Sequence, residues 1–170
     1  MEQMRVVHTI EPVFDERSRV LVLGTMPSPK SREVGFFYGH PQNRFWRVME
    51  RLFNLPDRKL VENAVRTAFL LEHRIALWDV LASCSIEGAS DASIADPVPN
   101  DLTRILDAAQ VTHVFTTGGT AARLCRRFDG GLLRERAIEH VALPSTSAAN
   151  ARMRLDDLVA AYMPLRDAVL

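Results

Sequence analysis

Cysteine is scarce in this chain. Cys84 and Cys125 are the only two, and they lie far apart. That excludes a disulfide framework, a CxxC-type metal site and a four-thiolate cluster. An excess of either charge is also missing, since 21 basic residues face 21 acidic ones. A strongly cationic nucleic-acid coat is therefore excluded, although a few phosphates could still be gripped locally. Long apolar runs are absent too: Arg, Asp, Gly or Pro interrupts every one before it reaches membrane-spanning length. No apolar signal core follows Met1–Arg5, so the expectation is a soluble, cytoplasmic protein with no membrane partner. Internal repeats, low-complexity tracts and linkers are missing as well, which makes one domain over residues 1–170 the economical reading. The 47% hydrophobic and 25% charged residues supply an ordinary globular core.

The residues that are present alternate between two periods. Val20-Leu21-Val22-Leu23 is a short apolar run ended by Gly24, and it predicts a buried strand feeding a loop. Ile75-Ala76-Leu77-Trp78, ending at Asp79, predicts a second strand. Val111 to Phe115 and His140 to Leu143 predict a third and a fourth. Helical stretches are expected from Asn43, over Leu60 to Leu71, from Asn100-Asp101 to Ala109, over Thr120 to Phe128, and from Asn150 or Arg152 to Tyr162. The polar segment Ser83 to Pro99, with Gly88 and two prolines, reads as a long functional loop. Strands alternating with helices imply an α/β fold, a parallel sheet with helices on both faces. Right-handed crossovers would gather the post-strand loops at one end, around one pocket.

Those loops carry the chemistry-bearing residues. The first runs Gly24-Thr25-Met26-Pro27-Ser28 and then Gly35-Phe36-Phe37-Tyr38-Gly39-His40-Pro41-Gln42-Asn43. Three adjacent aromatics are costly in water, so core packing and ligand stacking are both open for them. Tyr38 sits in the least periodic surroundings and is the candidate stacker. Asn43 fits a helix N-cap and equally a water-holding amide, and one residue can do both. Ser145, Thr146, Ser147 and Asn150 follow the last strand, where small hydroxyl residues ahead of a helix suit phosphate contacts. The arginine groups 44/47/51, 123/126/127 and 152/154 read from charge alone as solvated helix faces. His40 reads as a loop brace, and His73, His113 and His140 form no ligand cluster.

Taken together, GTMPS, GFFYGHPQNRFW, ALWDV, GASDASI, PNDL and LPSTSAAN resemble the uracil-DNA glycosylase superfamily, with the pattern nearest its DNA-deoxyinosine (hypoxanthine-DNA) branch. The mismatch-specific uracil/thymine enzymes share the Pro-x-Asn-Arg-Phe-Trp element. The resemblance runs from about Val20 to the final helix. It implies a three-layer αβα sandwich with a four-stranded parallel sheet, and cleavage of an N-glycosidic bond with neither metal nor cofactor. The implied partner is DNA carrying a deaminated base, hypoxanthine first, bound by a monomer.

On that reading Asn43 is catalytic and holds water through its side-chain carbonyl. Tyr38 stacks on the flipped base, while Phe36, Phe37, Asp79, Gly24 and Met26 form the base pocket. Ser28, Ser145, Thr146, Ser147, Asn150 and Arg152 meet the DNA. Three departures stand out. Met26 occupies the place where relatives carry an activating Asn or Asp. Leu143 stands where the uracil enzymes start their second motif with His, and Thr117 replaces an Asn. Asp79 has two open readings, a base reader or a turn brace, and a charge there would oppose a developing base anion. Two alternatives accompany this reading: a mismatch-specific uracil/thymine glycosylase, and a DNA-binding relative without activity.

Overall fold

The structure, a computed structural model, describes residues 3–170. In chain order the elements are β1 (Met4–Val7), β2 (Val20–Gly24), α1 (Pro29–Val34), α2 (Phe45–Leu52), α3 (Asn63–Glu72), β3 (Ile75–Asp79), β4 (Leu81–Ile86), a short 3-10 turn (Asp91–Ser93), β5 (Ala95–Pro99), α4 (Thr103–Leu106), β6 (His113–Thr117), α5 (Gly119–Glu135), β7 (Glu139–Leu143), α6 (Leu155–Ala161) and α7 (Met163–Val169).

Strands β3-β2-β6-β7 form the expected four-stranded parallel sheet, flanked by helices in an αβα sandwich. Val20 to Leu23 are fully buried, as a central parallel strand covered on both faces requires. The apolar side of α2 supplies Phe45, Trp46, Val48, Met49 and Leu52 to the same core.

Three expectations are corrected. The segment from Ser83 to Pro99 is not a long loop: β4 and β5 pair antiparallel with each other, and β1 pairs with β4. The alternation was hidden because β4 buries only Leu81, Cys84 and Ile86 among small polar residues. The prolines of β5 sit in an edge strand, whose outer side has no partner strand. The first loop contains α1, started by Ser28. The helix after Asn100 is a single turn, and Asp101 Oδ1 accepts from the Thr103 N–H at 3.0 Å.

One buried carboxyl group stands outside the site. Asp129 on α5 is 5% exposed, and its Oδ2 has no hydrogen-bond partner. Burial, and next the carboxylate of Asp101, raise its pKa from 3.8 to about 7. The folded chain thus keeps this proton up to about pH 7, whereas the unfolded chain releases it above about pH 4. Stability contributed by this group is full below pH 4 and is lost as pH rises toward 7, by on the order of 2–4 kcal/mol. Asp129→Asn should flatten that limb: urea denaturation at pH 5 and pH 8 is expected to show the variant gaining on the parent at the higher pH. An equal difference at both values would refute the assignment.

Candidate base-excision site

The carboxyl ends of the parallel strands surround a cavity of about 390 Å³, large enough for a flat heterocycle. Gly24 ends β2 and Thr25 to Ser28 follow it, Asp79 ends β3, Thr117 ends β6, and Ser145 to Ser147 follow β7. The four predicted loops therefore do meet at one pocket. Gly88 to Asp91, between β4 and β5, close a further side. Gly24 and Asp79 are direct neighbours in the β2–β3 register. A Cβ on Gly24 would lie 2.4 Å from Asp79 Oδ1 and 3.1 Å from the Tyr38 hydroxyl. Only a glycine leaves room for both groups over this stretch of backbone.

Tyr38 adopts φ 52°, the left-handed region that a bulky side chain avoids. Its ring stacks on Phe45 at 4.1 Å and 15°, and its hydroxyl bonds Thr117 Oγ1 at 2.8 Å. Burial, and next the Asp79 carboxylate, push its pKa well above the usual tyrosine value, so the phenol stays protonated. Thr117, at the position where an Asn was looked for, is thus the anchor of this tyrosine. Phe37 lines the pocket and is 2% exposed. Phe36 does not line it; it packs against Phe37 and Trp46 in the core.

Asn43 reaches the pocket from the turn before α2. Its Oδ1 accepts from the Phe45 N–H at 2.9 Å and from Thr146 Oγ1 at 2.8 Å. Both lone-pair directions of the carbonyl are then taken. This corrects the expectation that the carbonyl holds water: the atom left to act is Nδ2, a donor. The Phe45 N–H can only donate, so the orientation of the amide is fixed by the network.

The loop after β7 is tied down from beneath. Arg44 belongs to no solvated face. Its guanidinium donates to the carbonyls of Ser147 (2.9 Å), Asn150 (3.0 Å), Thr146 (3.4 Å) and Met153. The Arg44 N–H adds a bond to Thr146 O at 3.0 Å. Tyr162 donates its hydroxyl to Pro144 O at 2.6 Å, and Asn150 Nδ2 donates to Ser145 O at 3.0 Å. Asn150 thus braces the loop and does not line the pocket, and Arg152 lies exposed beyond it. Ser28 lines the pocket mouth while its Oγ caps α1 by accepting from the Ser31 N–H.

Two contributors had no signal in the sequence. His8, just past β1, bonds Asp79 Oδ2 through Nε2 at 2.7 Å, with the two side chains only 2% and 6% exposed. The partners are 71 residues apart, on different sheets. The loop-bracing role of Arg44 was equally hidden, because its acceptors are main-chain atoms about a hundred residues away. Among the described residues no group of three or more His, Cys, Asp or Glu is placed to hold a metal ion, and no helix is long and apolar enough to cross a membrane. Both cysteines are buried, and burial raises the pKa of each thiol, that of Cys125 to about 12, so neither is a ready nucleophile.

Comparison with known proteins agrees with this geometry. A protein named hypoxanthine DNA glycosylase from Methanosarcina acetivorans is 34% identical over 142 residues, covering 82% of this chain and 85% of its own. One of the same name from Methanosarcina barkeri is 30% identical over 141 residues, covering 83% and 86%. The solution NMR structure of a candidate uracil DNA glycosylase from M. acetivorans superimposes with a TM-score of 0.77 at 29% identity, over 95% of this chain and 99% of that one. The sequence model of the uracil DNA glycosylase superfamily matches residues 11–166, and the chain belongs to that superfamily.

Proposed function

We propose that this DNA glycosylase excises hypoxanthine from deoxyinosine, working as a single-domain monomer on DNA. The observation that carries the substrate is the Asp79 carboxylate on the pocket wall. Its Oδ2 is held by His8, while Oδ1 lies over Gly24 without a donor among the described residues. Hypoxanthine offers an N1–H that such an oxygen can accept, whereas adenine offers a lone pair there. The names of the relatives from both Methanosarcina species point to the same base.

The base must leave the stack before it can be attacked, at a cost of a few kcal/mol that is lowest for mispaired bases. Tyr38 then stacks on it with the face opposite Phe45, and Phe37 walls the pocket. Ser145 and Ser147, on a loop held rigid by Arg44, meet the backbone near the extruded nucleotide, and Ser28 and Arg152 extend that contact, while Thr146, buried with its hydroxyl on Asn43, braces the loop from within.

As the C–N bond stretches, the sugar gains oxocarbenium character and the base becomes an anion. Donors aimed at that charge are the main expected source of rate. Met26 lines the pocket but lacks a side chain able to orient water. Asn43 Nδ2 donates to the attacking water and fixes its position, leaving a second lone pair for the sugar carbon. No strong base is needed, because bond breaking leads: once water has bonded to the sugar carbon its proton passes to solvent, and the departed hypoxanthine anion takes one up in turn. The hydrogen bond from His8 draws charge out of Asp79 and reduces its repulsion of the leaving base.

Labelled duplexes carrying one deoxyinosine, deoxyuridine or deoxyxanthosine, treated with the protein and then with alkali, test this. Strand cutting is expected first at deoxyinosine. Cutting confined to deoxyuridine would replace hypoxanthine with uracil as the substrate.

A further inference from the structure

We infer that His8 is a positioning residue for base selection: its bond to Asp79 Oδ2 turns the carboxylate so that Oδ1 faces the pocket as an acceptor for bases carrying a ring N–H beside a carbonyl. This rests on the reading above that Asp79 meets the base.

Three observations support it. The His8–Asp79 pair is almost fully buried, and burying such a pair is a poor route to stability, since desolvation offsets the attraction. Its position at the pocket wall gives it another use. Next, the carboxylate is held at Oδ2 and crowded at Oδ1. His8 Nε2 holds Oδ2 at 2.7 Å, and Oδ1 fills the space a Cβ on Gly24 would occupy, beside the Tyr38 hydroxyl. The terminal torsion of a free aspartate is broad, so without His8 either oxygen could turn inward with its lone pairs misdirected. Finally, the histidine is itself fixed from outside the parallel sheet. Its N–H bonds Ala82 O at 2.7 Å, and its ring lies against Phe37 with centroids 6.0 Å apart. The antiparallel sheet thus delivers the residue that sets the edge seen by the base.

The chemical class that fits is the lactam base: hypoxanthine, xanthine and uracil each place an N–H next to a carbonyl. Adenine and cytosine place a ring-nitrogen lone pair there, which would face the lone pairs of Oδ1. A buried polar site left unmatched in this way discriminates far more strongly than shape does.

The test compares binding to two non-cleavable 2′-fluoro duplexes, one bearing inosine and one bearing nebularine, the purine without N1–H and O6. Comparing the ratio of their dissociation constants between variant and parent cancels flipping and phosphate contacts. The parent protein is expected to prefer inosine, and His8→Leu to lose that preference by about ten-fold or more, the worth of a hydrogen bond to a charged group. His8→Gln, whose amide N–H can reach the same oxygen, is expected to restore most of it. If His8→Leu does not fold, His8→Phe gives a second side chain without a donor. An unchanged ratio in a folded variant without the donor would overturn the inference, as would equal weakening of both duplexes. A parent protein that leaves deoxyinosine uncut in the alkaline assay would instead overturn the functional reading, so the two failures are distinguishable.

Discussion

Asn43→Ala should reduce hypoxanthine excision by about 10²–10³-fold, the usual cost of removing one oriented donor from an excision site. DNA binding should change little, and stability should fall by about 1 kcal/mol through loss of the turn bond to the Phe45 N–H. Asn43→Asp is the more informative variant. It keeps an oxygen for Phe45 and for Thr146 Oγ1, but it puts an acceptor where Nδ2 was. Single-turnover kinetics are expected to show it as inactive as Asn43→Ala. Near-normal rates in Asn43→Asp would mean that the water is held by an oxygen after all, and the donor role of Nδ2 would be wrong.

Arg44→Ala should produce the largest loss of stability, on the order of 3–5 kcal/mol, as expected when a partly buried charge and its hydrogen bonds are removed together. The main-chain carbonyls of Ser147, Asn150 and Met153 would lose their guanidinium donor, while Thr146 O would keep only the main-chain N–H of residue 44. The loop would then no longer hold its shape before DNA arrives, so the weakening should appear in the dissociation constant for undamaged duplex as well as in excision. Arg44→Lys is expected to recover part of the stability and little of the binding, because an ammonium cannot reproduce the planar fork. Thermal melting and fluorescence anisotropy separate the two effects. An Arg44→Ala protein that melts and binds like the parent would remove this arginine from the account.

The parallel sheet was legible because the apolar runs of β2 and β3 are continuous and end at Gly24 and Asp79. Short motifs then identified the loops that meet at the cavity. The antiparallel sheet was not legible. β1 and β5 are edge strands, exposing Met4, Val7 and Val98, and the polar β4 between them lacks a clean alternation. Residue types gave Asn43, Tyr38 and Asp79 as candidates but not which atom of each is free. That depends on partners distant in the chain, namely Thr146 for Asn43, Thr117 for Tyr38 and His8 for Asp79. Phe36 was misplaced for the same reason, since it has core neighbours that no local pattern reveals.

The most direct measurement is mass-spectrometric detection of the free base after the protein, in excess, meets a duplex with a single deoxyinosine. Release of hypoxanthine in step with abasic sites, lost in Asn43→Ala, is the expected result. A folded, DNA-binding protein that releases no hypoxanthine, or releases it equally well without Asn43, would contradict the account.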